Sequence, residues 1–240
     1  MHNAAFGVLG LDWHYELLDT EAEHLPQAIA LLRGPESAGA NVTIPYKQAV
    51  MEHLDGIDPE ALRARAVNTI TNDGGRLSGT NTDVAAVVAA IGELGLDPRG
   101  AKVVILGTGG GARAAAVALE GAHLTFASRH PVDADAPGHV VAWEDPTLYD
   151  LTRSADLLVN ATPLGRREEM PLRPAALPRA GAVIDLVYVT GGTPLVRKAR
   201  SLGLPTVDGW SILLAQGARS FELWTKRNAP IDAMRDTLQP

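Results

Sequence analysis

Apolar and polar positions fall into two rhythms along this chain. Before Gly100 the runs are short and mixed. "WHYELLD" (13–19) alternates and predicts a strand, "HLPQAIALLR" (24–33) a helix, and "ANVTI" (40–44) a strand. Val42, Thr43 and Ile44 read as its buried part, and Pro45 ends it. "QAVMEHL" and "PEALRARA" predict helices, the second with Pro59 in its first turn under an Asp58 cap. "VNTITNDGGRLSGTNTD" predicts a hairpin with Asp-Gly-Gly at the turn, and helical spacing runs from Val84 to Leu94.

After Gly100 the alternation of elements is regular. "KVVIL" is a short, fully apolar run of the kind buried on both faces of a parallel sheet. "GARAAAVALEG" follows as a helix, then "HLTFAS", "HVVAW", "DLLVNAT" and "AVIDLV" as strands, "PLVRKARSLG" as a helix and "PTVDG" as a strand. This order predicts an α/β fold with a parallel sheet covered by helices on both faces. "SILLAQGARSFELWTKR" and "IDAMRDTL" close the chain as two helices, of the kind that return to cover the first domain.

Composition narrows the function. Of the 240 residues, 46% are hydrophobic and 20% charged, ordinary values for a globular chain. The net charge of −7 argues against a nucleic-acid surface. No apolar run approaches the ~18 residues of a membrane span, and the opening "MHNAAFGVLG" lacks the basic region of a signal peptide. With no cysteine there is neither a disulfide nor a thiolate metal site, which fits the cytoplasm. The histidines form no His-x-x-x-His pair, so no metal site is expected.

The strongest local signal is "VVILGTGGGARAAA". Gly107, Gly109 and Ala112 have the spacing of a dinucleotide fingerprint between a strand and a helix. Gly107 allows the tight turn, Gly109 lets the backbone approach a pyrophosphate, and Ala112 lets the helix pack close. No Lys-Ser or Lys-Thr follows, so this is not a P-loop. The next strand ends in Ser128, Arg129 and His130, without the acid that an NAD ribose usually meets. Arg129 suits a 2′-phosphate instead and points to NADP, although an ordinary exposed arginine reads the same way.

Before the glycine loop, "NVTIPYK", "AVNTI" and "GTNTD" put polar residues at strand ends. Singly, Asn68 and Asn81 are more often turn or cap residues than ligand contacts. Lys47 and Asp83 form the suggestive pair. A lysine held beside a carboxylate can pass a proton to an oxygen during hydride transfer, with the acid orienting the ammonium.

"HNAAF", "NVTIPYK", "RAVNTI", "GTNTD", "GTGGGAR", "VNATPLG", "DLVY" and "GWSILLAQGARSFELWT" stand in the order of the shikimate/quinate dehydrogenase family, which the chain resembles nearly end to end. The resemblance implies a substrate domain and a Rossmann-like NADP domain with a cleft between them. It makes Lys47 and Asp83 the catalytic dyad and Thr43, Asn68, Tyr188 and Gln216 the substrate contacts. Gly107, Gly109, Gly110, Gly111, Ala112, Ser128, Arg129 and Thr162 are the expected cofactor contacts. The expected domains are 1–83 plus 211–240 for substrate and 84–210 for NADP. The implied reaction is the reversible reduction of 3-dehydroshikimate by a cytoplasmic monomer or homodimer, with small-molecule partners only.

The chain also departs from the family pattern. An N-terminal strand and a Ser-x-Ser pair that binds the substrate carboxylate would precede His2-Asn3, which suggests a start assigned at an internal methionine. Lacking them, the first sheet would expose an edge, and each missing bond to a carboxylate would weaken binding by about 1.5–3 kcal/mol. Ala86 replaces a usual glycine, and Arg166 a usual methionine near the expected nicotinamide. Quinate as substrate, or nucleotide binding without turnover, are the other readings this pattern leaves.

Overall fold

The structure, a computed structural model, describes residues 1–134 and 136–238. It divides into two compact units, Met1–Ala85 with Leu214–Pro240, and Ala86–Leu213.

The first unit opens with α1 (His2–Val8) and α2 (Leu25–Leu31), followed by β1 (Gly39–Asn41), β2 (Gly56–Ile57) and α3 (Pro59–Ala64). The hairpin of β3 (Thr69–Asp73) and β4 (Arg76–Thr80) comes next and leads into α4 (Thr82–Glu93). The sheet order is β1-β3-β4-β2, antiparallel except for the parallel β2–β4 pair. Asp58 caps α3 as expected, its carboxylate accepting from the Ala61 N–H at 2.7 Å. Leu25, Ile29, Val50, Ala61, Val67, Ile70 and Leu77 bury the core between these elements.

Two expectations for this unit need correction. Residues 13–19 form no strand. The side chain of Asn3 takes both backbone groups of Tyr15, accepting its N–H at 2.7 Å and donating to its carbonyl at 2.9 Å, so a ladder partner has nothing to bond there. The Tyr15 ring packs on His2 and Trp224, strapping the segment to its neighbours through an aromatic cluster. The strand expected over 40–44 stops at Asn41. The Thr43 carbonyl accepts the Tyr46 N–H at 2.9 Å, which turns the chain, and Ile44 is 77% exposed where a buried residue was expected.

The second unit carries β5 (Lys102–Leu106), α5 (Gly110–Ala118), β6 (His123–Ser128), β7 (His139–Ala142) and α6 (Thr147–Arg153). It continues through β8 (Leu157–Asn160), β9 (Ala182–Asp185), α7 (Pro194–Ser201) and β10 (Thr206–Val207). Its six strands run parallel in the order β10-β9-β8-β5-β6-β7. Val104, Leu106, Leu158 and Val183 pack against Leu148 of α6 and Leu195 and Ala199 of α7. The alternate residues Val103, Ile105, Leu157, Val159 and Ile184 are equally buried, so both faces are covered and the apolar runs are explained. The order reverses between β5 and β8, and open α/β sheets bind ligands outside the carboxyl ends of strands at such a reversal.

From α8 (Gly209–Thr225) the chain passes to α9 (Ile231–Asp236). Ala218 and Phe221 of α8 and Met234 of α9 bury against Ala5 and Phe6 of α1 in the first unit. No helix among the described residues is long and apolar enough to cross a membrane.

Candidate active site

In the first unit, Lys47 lies in the turn after β1 and Asp83 in the first turn of α4. The Lys47 Nζ donates to Asp83 Oδ2 at 2.6 Å, with side-chain exposures of 20% and 19%. The backbone holds both ends of this pair. The Lys47 carbonyl accepts the Val67 N–H at 2.7 Å, which fastens the turn beside β3. Asn81 caps α4, its Oδ1 accepting the Asp83 N–H at 3.1 Å while its amide donates to Ala66 O at 2.9 Å. Asn68 accepts the Thr82 N–H at 2.7 Å through its own Oδ1. Two asparagine side chains therefore satisfy the first two N–H groups of α4 and fix where Asp83 stands.

Behind the pair lies a buried cluster of neutral groups. Thr69 Oγ1 shares hydrogen bonds with Ser220 Oγ at 2.9 Å and Thr82 Oγ1 at 3.1 Å, and Asn41 Nδ2 donates to Ser220 Oγ at 2.9 Å. These bonds join β1, β3, α4 and α8 without burying a charge, which avoids the large cost of desolvating one. Gln216, half-buried, sits one turn before Ser220 on α8, and its carbonyl accepts the Ser220 hydroxyl at 3.0 Å. Asn68 Oδ1 also accepts the Thr69 hydroxyl at 3.1 Å, so its oxygen is engaged within the cluster. Thr43 is exposed in the turn before Pro45.

In the second unit the glycine turn leaves β5 and enters α5 at Gly110, with Gly109 as its cap. Gly107 has φ +99°, and a Cβ there would lie 3.1 Å from Thr162 Cγ2 and 3.2 Å from Ala161 O, so only glycine fits. A Cβ on Gly109 would meet nothing within 4 Å, which leaves the backbone open to approach. Ala112 is fully buried, as close helix packing requires. The first N–H groups of α5 thus present a positive dipole end at the sheet reversal, the arrangement that holds phosphate oxygens. At the tip of β6, Ser128 is buried and its Oγ accepts the His130 N–H at 3.1 Å. Arg129 and His130 are exposed beside it.

A further polar group closes two neighbouring strands of this unit. Asn160 and Asp185 are paired residues at the carboxyl ends of β8 and β9, both fully buried. Asp185 accepts from Asn160 Nδ2 at 2.9 Å, the Val187 N–H at 3.0 Å and Thr193 Oγ1 at 2.6 Å. Burial pushes its carboxyl up to about 6, and these hydrogen bonds pull the other way without cancelling it. Asn160 Oδ1 in turn accepts from the hydroxyl and N–H of Thr162, at 2.7 and 3.2 Å. Tyr188 is the next residue after Val187, its ring 5.3 Å from that of Trp210. The available signal was the polar residue closing each of two apolar strands in "VNATPLG" and "DLVY".

The expected residues therefore fall into two sets. Lys47, Asp83, Asn68, Gln216 and Thr43 belong to the first unit, where Lys47 and Asp83 touch directly. The glycine turn, Ser128, Arg129, Thr162 and Tyr188 belong to the second, where Gly107 packs on Thr162. Asn81, weighed as a cap, is one.

Comparison with known proteins adds a family to this geometry. The model of the shikimate dehydrogenase substrate binding domain matches residues 1–70, and that of the shikimate 5'-dehydrogenase C-terminal domain matches residues 209–239. A shikimate dehydrogenase (NADP(+)) of Moorella thermoacetica is 40% identical over 256 residues, spanning 100% of this chain and 87% of that protein. Among solved structures, the shikimate 5-dehydrogenase of Thermus thermophilus in complex with NADP(H) and shikimate aligns with a TM-score of 0.86 at 36% identity, over 99% of this chain and 91% of that one. The ligand-free 5-ketofructose reductase of a Gluconobacter species aligns with a TM-score of 0.85 at 32% identity, again over 99% and 91%.

Proposed function

The chain belongs to the shikimate dehydrogenase family, and from that premise we propose that it catalyses the reversible, NADP-dependent reduction of 3-dehydroshikimate to shikimate. It is an alcohol oxidoreductase of aromatic biosynthesis, acting in the cytoplasm on small molecules. The observation that carries the reading is the 2.6 Å Lys47–Asp83 pair, half-buried at the start of a doubly capped helix.

The reduction moves a hydride, one proton with two electrons, from NADPH to the ketone carbon, and the oxygen then needs a proton. Lys47 supplies that proton or stabilises the developing oxyanion, since an ammonium carries both charge and exchangeable hydrogens. Asp83 holds the ammonium in place and accepts a hydrogen bond from a substrate hydroxyl. Asn68 donates to the same ring, and Thr43 and Gln216 add the first unit's other substrate contacts. The first unit takes the substrate and the second the dinucleotide, whose pyrophosphate rests on the N–H groups of Gly109, Gly110 and Gly111. Arg129, with Ser128 beside it, takes the 2′-phosphate and selects NADP over NAD.

Initial rates of NADPH formation test this, with shikimate, quinate and the reduced form of 5-ketofructose offered in parallel. Shikimate is the expected substrate. Arg129→Ala is expected to lower the preference for NADP over NAD by about 10–100-fold, the loss of a charge-assisted contact. Turnover of either competitor with none of shikimate would overturn the assignment.

A further inference from the structure

We infer that Asp185 is a positioning residue for the cofactor, its buried carboxylate tying the loops after β8 and β9 into one frame against which the glycine-rich turn rests. The inference builds on the NADP reading above and adds a group that touches neither cofactor nor substrate.

The carboxylate gathers donors from three directions. Asn160 approaches from the paired position on β8, Val187 from the loop after β9, and Thr193 from the start of α7. Each donor governs something further out. Asn160 holds the hydroxyl and N–H of Thr162 and donates to Leu164 O at 3.0 Å, which shapes the loop after β8. The Thr193 hydroxyl accepts the Val196 N–H at 3.1 Å and so caps α7. A Cβ on Gly165 would meet Thr193 Cβ and Cγ2 at 3.1 Å, so the far end of the β8 loop closes back on the same threonine.

The glycine turn is wedged between the two loops this network holds. Gly107 abuts Thr162 and the Ala161 carbonyl on one side. On the other, a Cβ at Gly111 would meet Leu186 Cδ1 at 3.0 Å, and Leu186 follows Asp185 in the chain. Displacing either loop by an ångström moves the backbone N–H groups that receive the pyrophosphate. It also moves Tyr188, because Val187 is pinned from below and Trp210 Nε1 donates to Val189 O at 3.0 Å from above.

A carboxylate suits this point because it accepts only, and the groups converging on it donate. Asparagine would turn an NH₂ toward one of those donors and leave a buried group unsatisfied. That burial holds the carboxyl up near 6 is the mark of a group kept for its geometry against its solvation.

The test measures NADP binding without substrate, by calorimetry on the intact protein, for wild type, Asp185→Asn, Thr193→Val and Thr193→Ser. Asp185→Asn and Thr193→Val are expected to raise the NADP dissociation constant about tenfold or more. Thr193→Ser, which keeps the hydroxyl, is expected to stay near wild type. In steady state the rise is expected in KM for NADP more than in kcat. A change below about threefold in both variants, with only the melting temperature lowered, would make Asp185 merely structural and overturn the inference. If Asp185→Asn does not fold, Thr193→Val decides alone. Wild type that binds NADP but fails to oxidise shikimate would sink the proposed reaction and leave this inference to be judged on dissociation constants. Wild type that does not bind NADP overturns both.

Discussion

In the first unit the buried side chains behind the site are neutral, namely Asn68, Thr69, Thr82 and Ser220, while its two charges, Lys47 and Asp83, keep about a fifth of their surface in solvent. The second unit reverses this. Its buried network centres on the carboxylate of Asp185, and the surface it supports is uncharged backbone at the start of α5. Each arrangement follows from what the surface must do. A second buried carboxylate behind Lys47 would, on the proposed reaction, compete with Asp83 for the ammonium and for the proton that Lys47 supplies. A phosphate cradle made of backbone N–H groups holds no proton to lose, so a buried carboxylate in its support leaves its chemistry intact. On the proposed reaction, a charge serves as reagent in one unit and as a fastener in the other.

That contrast is open to direct attack. The largest effect is expected at Asp185, whose carboxyl is raised from the ordinary range near 4 to about 6. The native state then takes up a proton more readily than the unfolded chain. Stability from this group is fully present below about pH 4 and is lost as pH rises through about 6, by up to about 3 kcal/mol. Asp185→Asn has no such titration. The difference in unfolding free energy should therefore tilt toward wild type as pH falls from about 7 to about 4 in urea titrations, and a difference that stays flat would mean that the three hydrogen bonds offset the cost of burial. Next comes Gly107→Ala. The positive φ and the contacts with Thr162 and Ala161 make it cost about 1–3 kcal/mol. If that strain falls on the cradle, the NADP dissociation constant rises about 10–100-fold, while shikimate binding to the cofactor-free protein is unchanged. Smallest is Ser220→Ala, which strips the hydroxyl shared by Asn41, Thr69 and Thr82 and should cost about 1 kcal/mol in denaturant titrations. Its effect belongs to the first unit, so an altered NADP dissociation constant would contradict the division.

The second unit was the more legible in sequence. In "KVVIL" four buried apolar residues follow Lys102 and Gly107 closes the run, and in "HLTFAS" burial sets in from Phe126, so the pattern carries their length, and β5 and β6 fall where it put them. Helix α6 escaped because only Leu148, Leu151 and Thr152 turn inward, and the threonine hides in a polar run. In the first unit the order is set by side chains that no periodicity records. Asn3 cancels a strand at Tyr15, and the turn at Thr43 leaves Ile44 in solvent. The 2.6 Å approach of Lys47 to Asp83 crosses 36 residues of chain and was legible through the family pattern, because nothing local in "NVTIPYK" requires it. Asp185 was visible as a residue and invisible as a hub, since its three donors come from separate elements.

Turnover by the Lys47→Ala variant, measured with shikimate and NADP beside its NADP dissociation constant, tests the central claim most directly. If the first unit supplies the proton chemistry and the second holds the cofactor, turnover falls by about 10²–10⁴-fold while the dissociation constant stays within about twofold of wild type. A variant that keeps turnover within a few-fold of wild type would contradict Lys47 as the proton-transfer group. One that loses NADP binding along with turnover would contradict the separation of the two halves.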